Sequence, residues 1–247
     1  MNLVTETVGW LSDPTHWTGT GSIPQRLVEH IVLSGLSLVV AILIALPIGL
    51  WVGHTGRGAS FAVNLANLGR ALPSLAVIAI VVPVTAAIDP QLGFLFYPTL
   101  IAMIVLGIPP ILVNTYTGIA GVDRDLVEAA RGMGFREWQV LRRVELPVAV
   151  PVIAGGVRSA AVQIVATATL GAIFGFGGLG RFLVEGIAQQ NDGMIFGGVA
   201  LVAALALSTE VVFAAIQRAL TPPGLRRAAE DSGVGLGARR AASEPAT

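Results

Sequence analysis

Charge is scarce in this chain of 247 residues: Asp, Glu, Lys and Arg make up 12% of it, against about 25% in an average soluble domain. Lysine is missing altogether, so all 15 basic residues are arginine, a bias we read as genomic composition rather than function. The 15 acids balance them, and a net charge of zero implies no bulk electrostatic partner. Cysteine is also absent, which removes disulfides, thiolate metal sites and a cysteine nucleophile. The three histidines, His16, His30 and His54, are scattered, and without cysteine partners they do not suggest a zinc site. Apolar side chains are plentiful, at 54% of the chain, and the mean hydropathy is +0.77. This balance excludes a disordered chain, a nucleic-acid binder and an ordinary cytosolic enzyme, and points to an integral membrane protein.

A helix rising 1.5 Å per residue needs about 20 apolar residues to cross about 30 Å of hydrocarbon. The gaps between charges predict an all-α fold with about five such spans, near 31–53, 71–88, 98–118, 155–176 and 194–217. Ser60–Arg70 is too short to cross alone and is placed as an interfacial lead-in to the second span. Residues 1–25 lack the basic start of a secretory signal and read as an extracytoplasmic segment, with Trp10 and Trp17 at headgroup level. Residues 226–247, rich in Ala, Gly, Arg and Ser, read as a disordered cytoplasmic tail. Positive charge is retained in cytoplasmic loops. With the N-terminus outside, twelve arginines fall on the inner side, and only Arg26 and Arg181 on the outer. Loop 119–147 and the C-terminus are therefore expected in the cytoplasm.

The first three spans hold no ionisable residue, which removes the relay groups that ion-driven carriers place inside their bundles. Glu210 is an acid within an apolar run. It reads either as an interfacial side chain or as a salt-bridge or gate element. Gly49-xxx-Gly53, Gly171-xxx-Gly175 and Gly193-xxx-Gly197 fit small-residue helix packing. Pro47, Pro73, Pro83, Pro109 and Pro110 fall within spans and permit kinks, either static or used in transport. Gly175–Gly180 matches the GxGxxG pattern, but it follows a span where a dinucleotide site needs a strand, so nucleotide binding there is rejected. With no lysine there is no GxxxxGK[ST] loop, and the chain has no ATPase site of that kind. Five spans are also few to enclose a path alone.

The informative stretch is Val122–Pro147. Asp125 is placed to cap a helix, with Glu128 three residues on in a variant of the capping box. Leu126, Ala130 and Met133 recur at helical spacing. Gly134 is expected to turn the chain, a second short helix to carry Trp138 and Leu141, and Leu146-Pro147 to close the segment. From physics alone the stripe either lies on lipid headgroups or docks into a partner's groove.

Glu128-Ala129-Ala130, three residues, Gly134, nine residues, Val144, one residue and Leu146-Pro147 resemble the EAA loop of ABC-importer permeases, with Val for the usual Ile. Asn67–Ile80, Gly107–Asp123, Thr167–Gly180 and Thr221–Leu225 are similar to permeases of glycine betaine/carnitine/choline importers, and the resemblance spans roughly Ile23–Leu225. Methionine-importer permeases share fold and loop but match less well through Asn114–Ile119.

The resemblance implies a methionine-importer-permease-like fold over residues 26–225, in a bacterial plasma membrane. It implies a second permease subunit (identical or paralogous), two cytoplasmic ATP-binding subunits and an extracytoplasmic substrate-binding protein, besides membrane lipid and no nucleic acid. Glu128, Ala129, Ala130, Gly134, Leu146 and Pro147 would couple to the ATPase. No catalytic residue, metal or cofactor is expected, ATP being bound by the partner. The solute would be a quaternary ammonium osmoprotectant such as glycine betaine, choline or carnitine, and its path is not assigned to residues. The alternatives are a permease for another small solute, such as an amino acid, or a stand-alone channel or secondary carrier.

Overall fold

Helices joined by short turns make up the chain in this computed structural model, which describes residues 2–60, 64, 67, 73–222 and 224. No strand occurs among the described residues. The lead-in Ser60–Arg70, for all but a few positions, the start of the second span at 71–72 and the tail 226–247 lie outside them.

Helix α1 (Leu3–Ser12) is followed by a 3-10 turn at Pro14–Trp17. Helix α2 (Ile23–Thr55) opens with Pro24 in its first turn and ends at Gly56, whose φ of 69° lets its N–H reach Val52 C=O. At 1.5 Å per residue its 33 residues rise about 50 Å. It therefore begins a full two turns before the uncharged run, and Arg26, Glu29 and His30 extend it. Helix α3 (Ser74–Ile88) has 15 residues, a rise of about 22 Å. A single turn, α4 (Leu92–Leu95), leads into α5 (Tyr97–Ala120). Helix α6 (Arg124–Gly132) and the short α7 (Glu137–Val140) follow. A π turn at Leu141–Glu145 joins α7 to α8 (Leu146–Thr167), which tightens into a 3-10 stretch at Ala168–Phe174. Helices α9 (Gly180–Gln189) and α10 (Asp192–Leu220) complete the described chain.

Among the described residues, four helical stretches, 23–55, 92–120, 137–174 and 192–220, are long and apolar enough to cross a membrane. The remaining expected span is represented by the shorter α3. A buried cluster of Leu33, Ile78, Met103 and Ile164 joins α2, α3, α5 and α8. Close approach of α2 to α5 depends on Gly49 and Gly53: a Cβ there would lie 2.6 Å from Thr115 Cβ and 2.7 Å from Ile119 Cβ.

Two sequence expectations are corrected. Leu146-Pro147 does not close the loop segment, because helical structure runs on from Glu137 to Phe174. Pro147 has no N–H to give, and the wide turn before it, where Leu146 N–H bonds Leu141 C=O, absorbs the missing bond. Trp10 is 8% exposed: α1 lies along α10, with the Trp10 ring over Gly197 and the Glu6 carbonyl over Gly193. The cap of α6 falls on Asp123, not Asp125.

Gly175–Gly180 forms a loop stitched to the N-terminal part of α2. Gly178 N–H donates to Glu29 Oε2 at 2.8 Å, and Leu179 N–H to His30 Nδ1 at 3.3 Å. His30 Nε2 in turn donates to Val165 C=O at 2.9 Å. One ring nitrogen accepts and the other donates, an arrangement that only the neutral imidazole makes. These N–H groups are spent on α2, so they do not form a phosphate cradle.

Candidate functional site

The segment between α5 and α8 is built to stay rigid while presenting apolar surface. Asp123 Oδ1 accepts from Asp125 N–H at 2.9 Å and starts α6. The helix ends in a Schellman arrangement: Gly134 N–H bonds Arg131 C=O at 2.9 Å and Phe135 N–H bonds Ala130 C=O at 3.1 Å. Gly134 takes φ +86°, and a Cβ there would meet nothing within 4 Å. Its requirement is thus one of backbone conformation. Gln139 Oε1 accepts from Arg136 N–H at 2.9 Å and caps α7.

Arg131 clips the two short helices together through two bonds to Glu137, Nε–Oε1 at 3.0 Å and Nη2–Oε2 at 2.9 Å. That carboxylate holds the guanidinium pKa above its ordinary value, first through the hydrogen bond and then through its charge. Leu126, Met133 and Trp138 are 53%, 71% and 66% exposed. Of the predicted stripe only Ala130 is buried. Leu126 and Met133 therefore leave apolar surface exposed to either side of the buried Ala130.

The expected coupling residues fall into two groups. Glu128 and Ala129 are exposed on α6, Ala130 is buried beneath them, and Gly134 is exposed at the turn. Leu146 packs against Ile119, Ala149 and Ile153 at the start of α8, beside the half-buried Pro147. A cavity of about 450 Å³ separates α6 from the C-terminal end of α2, and Glu128, Arg131, His54, Tyr116 and Glu145 line it.

His54 and Glu145 were not singled out in the sequence. Glu145 is 5% exposed, and His54 Nδ1 lies 2.6 Å from its Oε2, while His54 Nε2 is 3.4 Å from Glu137 Oε2. The imidazole thus joins the end of α2 to both the π turn and the Arg131 clip. The available signals were an acid set between Val144 and Leu146 and a histidine at the end of the first span. Their partnership, across 91 positions, leaves no mark on spacing.

Away from this segment, Glu210 of α10 is ion-paired with Arg158 of α8, which also donates to Gln217 Oε1 at 3.2 Å. Of its two readings the structure supports the salt bridge. No cluster of metal-ligating side chains occurs among the described residues.

Comparison with known proteins agrees with this architecture. Residues 24–223 match the family described as binding-protein-dependent transport system inner membrane component. The glycine betaine/carnitine/choline transport system permease protein OpuCB of Bacillus subtilis is 34% identical over 85% of this chain and 93% of its own. The choline transport system permease protein OpuBB of the same organism is 35% identical over 86% and 95%. The osmoprotectant import permease protein OsmW of Salmonella typhimurium is 32% identical over 83% and 95%. Among solved structures, a chain of the inward-facing MetNI methionine ABC transporter superposes with a TM-score of 0.73, at 23% identity over 85% of this chain and all of that one. At that identity the likeness shows the fold alone.

Proposed function

This chain belongs to the family of binding-protein-dependent transport system inner membrane components, and from that premise we propose how it works as the permease subunit of an osmoprotectant ABC importer. It is a multi-pass membrane protein whose family works with ATPase and binding-protein partners. The solute is a quaternary ammonium compound of the kind named for its relatives: glycine betaine, choline or carnitine.

Two permease subunits enclose the path, two ATP-binding subunits dock on α6, and a substrate-binding protein delivers solute at the opposite end. ATP is bound by the docked subunits. The N-terminus and the Gly175–Gly180 loop face outward, while α6 and the C-terminus face the cytoplasm of a bacterial cell. The observation that carries this reading is the exposure of the large apolar side chains Leu126, Met133 and Trp138 on a segment that is capped, clipped and continuous with α8. A helix-in-groove contact needs such anchors on one face. Movement of a docked ATPase against Glu128, Ala129 and Ala130, held in shape by the Gly134 turn, passes through Leu146 and Pro147 into α8. Both arrangements of the bundle must lie within a few kcal/mol for ATP to switch them.

The test is reconstitution. The chain, co-expressed with its ATP-binding and solute-binding subunits, should copurify with them and take up labelled glycine betaine into proteoliposomes only with ATP. Uptake by the purified chain alone, without any ATPase, would instead establish the stand-alone carrier.

A further inference from the structure

Helix α8 carries a strip that contrasts with the apolar surfaces around it. Val148, Val152, Ser159, Gln163 and Ala166 are its exposed residues, and at 100° per residue they fall on one face. The lower part of the strip is apolar. Its middle is a hydroxyl and a carboxamide with no charge. Ser159 and Gln163 lie about 20 and 25 Å along the helix from Leu146. Both lie inside the long apolar helical stretch 137–174, away from its ends.

Their neighbours on α5 extend the same surface. Asn114 packs against Gly156, where a Cβ would lie 2.5 Å from its own. The exposed Thr117 sits one turn further along α5. Gln163 Nε2 points to Leu106 C=O at 3.5 Å. That carbonyl has lost its helical donor, because Pro110 stands four residues on. Gln163 Oε1 accepts no hydrogen bond among the described residues, and the Ser159 hydroxyl makes none either. A carboxamide oxygen without a partner is expensive in hydrocarbon. This face is therefore not turned to lipid.

We infer that the α8 face carrying Ser159 and Gln163, bordered by Asn114 and Thr117 of α5, lines the solute path and meets the quaternary ammonium solute there. The inference rests on the transport reading above and gives the path its residues. The chemistry fits the cargo. A trimethylammonium group has no N–H to donate, so a carboxylate would hold it by charge and release it slowly. Amide and hydroxyl oxygens solvate its polarised methyls weakly, which suits a surface that must let go. Nothing on the strip titrates, so this face offers the cargo no charge.

This chain has no cysteine, so a single introduced cysteine is the one thiol it brings to the complex, and the complex without it serves as the background. Ser159→Cys, nearly isosteric, and Gln163→Cys are reconstituted in the full complex with its ATPase and binding protein. They are treated with a membrane-impermeant trimethylammonium methanethiosulfonate. Leu207→Cys, on the exposed apolar face of α10, serves as the control. Labelling at 159 and 163 but not at 207, with loss of uptake and protection by saturating glycine betaine, is the expected result. No labelling at either position in a complex that still takes up glycine betaine with ATP would overturn the assignment. So would disulfide formation between two copies through 159 or 163 without labelling, since the face would then be a subunit contact. Labelling at both positions in a complex that moves no quaternary ammonium solute would overturn the transport reading and the solute class, leaving only an aqueous face.

Discussion

Removing the His54 imidazole should uncouple ATP hydrolysis from transport, and the structure sets the size of the effect. His54 Nδ1 and Glu145 Oε2 are 2.6 Å apart and the carboxylate is 5% exposed. A hydrogen bond to a charged group contributes about 1.5–3 kcal/mol. Glu137, on the other ring nitrogen at 3.4 Å, is well exposed and adds little. The pair's coupling energy should therefore be about 1.5–3 kcal/mol, or about 10- to 150-fold in an equilibrium constant. A double-mutant cycle of His54→Ala and Glu145→Gln, read by unfolding of the purified complex in detergent, measures it. His54→Asn places an amide nitrogen where Nδ1 stood and should recover most of the loss. In proteoliposomes His54→Ala should lower solute moved per ATP hydrolysed while hydrolysis continues. If the two single changes add within about 0.5 kcal/mol, the contact is not an energetic joint and the reasoning is refuted.

Three further outcomes follow from single positions. Gly134→Val should abolish uptake while the chain still reaches the membrane, because φ +86° costs a β-branched residue about 1–2 kcal/mol; Gly134→Asn should retain more uptake, and equal uptake by both variants would contradict this. Gly180→Ala should lower thermal stability by about 1–3 kcal/mol, since its Cβ would lie 2.3 Å from the Thr169 carbonyl oxygen; an unchanged unfolding temperature would show that the loop yields. Arg158→Met should reduce the amount of folded protein by leaving Glu210 unpaired, and adding Glu210→Leu should restore it, as removing both charges of such a pair is tolerated better than removing one; membrane-fraction yield after detergent extraction reads both.

Much of the fold was legible because hydrocarbon enforces a simple rule. Charges end spans, so the runs after His30 and between Asp89 and Asp123 foretold α2 and α5. The same rule misplaced helix starts: Arg26 and Glu29 belong to α2 because they find partners in each other and in Gly178 N–H. Proline misled at Pro147, where a wide turn keeps the helix going, as spacing cannot tell a break from a π turn. Helix α9 was missed because the glycine run before it reads as loop and its own ten residues are too few to register as a span. In the site, Gly134 was readable since a left-handed cap needs glycine. Its neighbours' exposure was not: Leu126 and Met133 share a stripe with Ala130, yet Ala130 is buried and they are not. The polar face of α8 was hidden for a similar reason: Ser159 and Gln163 are unremarkable in a list of residues and matter only once their exposure is known.

The His30 and His54 contacts together give α2 a mechanical role that neither has alone. His30, near its start, bonds Val165 C=O at the far end of α8. His54, at its end, bonds Glu145 in the turn that begins α8. The staples are separated by about 36 Å along α2 and about 30 Å along α8. Between them Gly49 and Gly53 bring α2 into close contact with α5. A helix fastened at both ends to a second, and packed along its length on a third, cannot tilt without them. In the coupling proposed above, a displacement applied to α6 would reach α8 directly and α2 through His54, and would arrive at the Gly175–Gly180 loop through Glu29 and His30. The rejected nucleotide fingerprint thus has a structural meaning: it is the far end of the linkage, where glycines let backbone N–H groups close on α2.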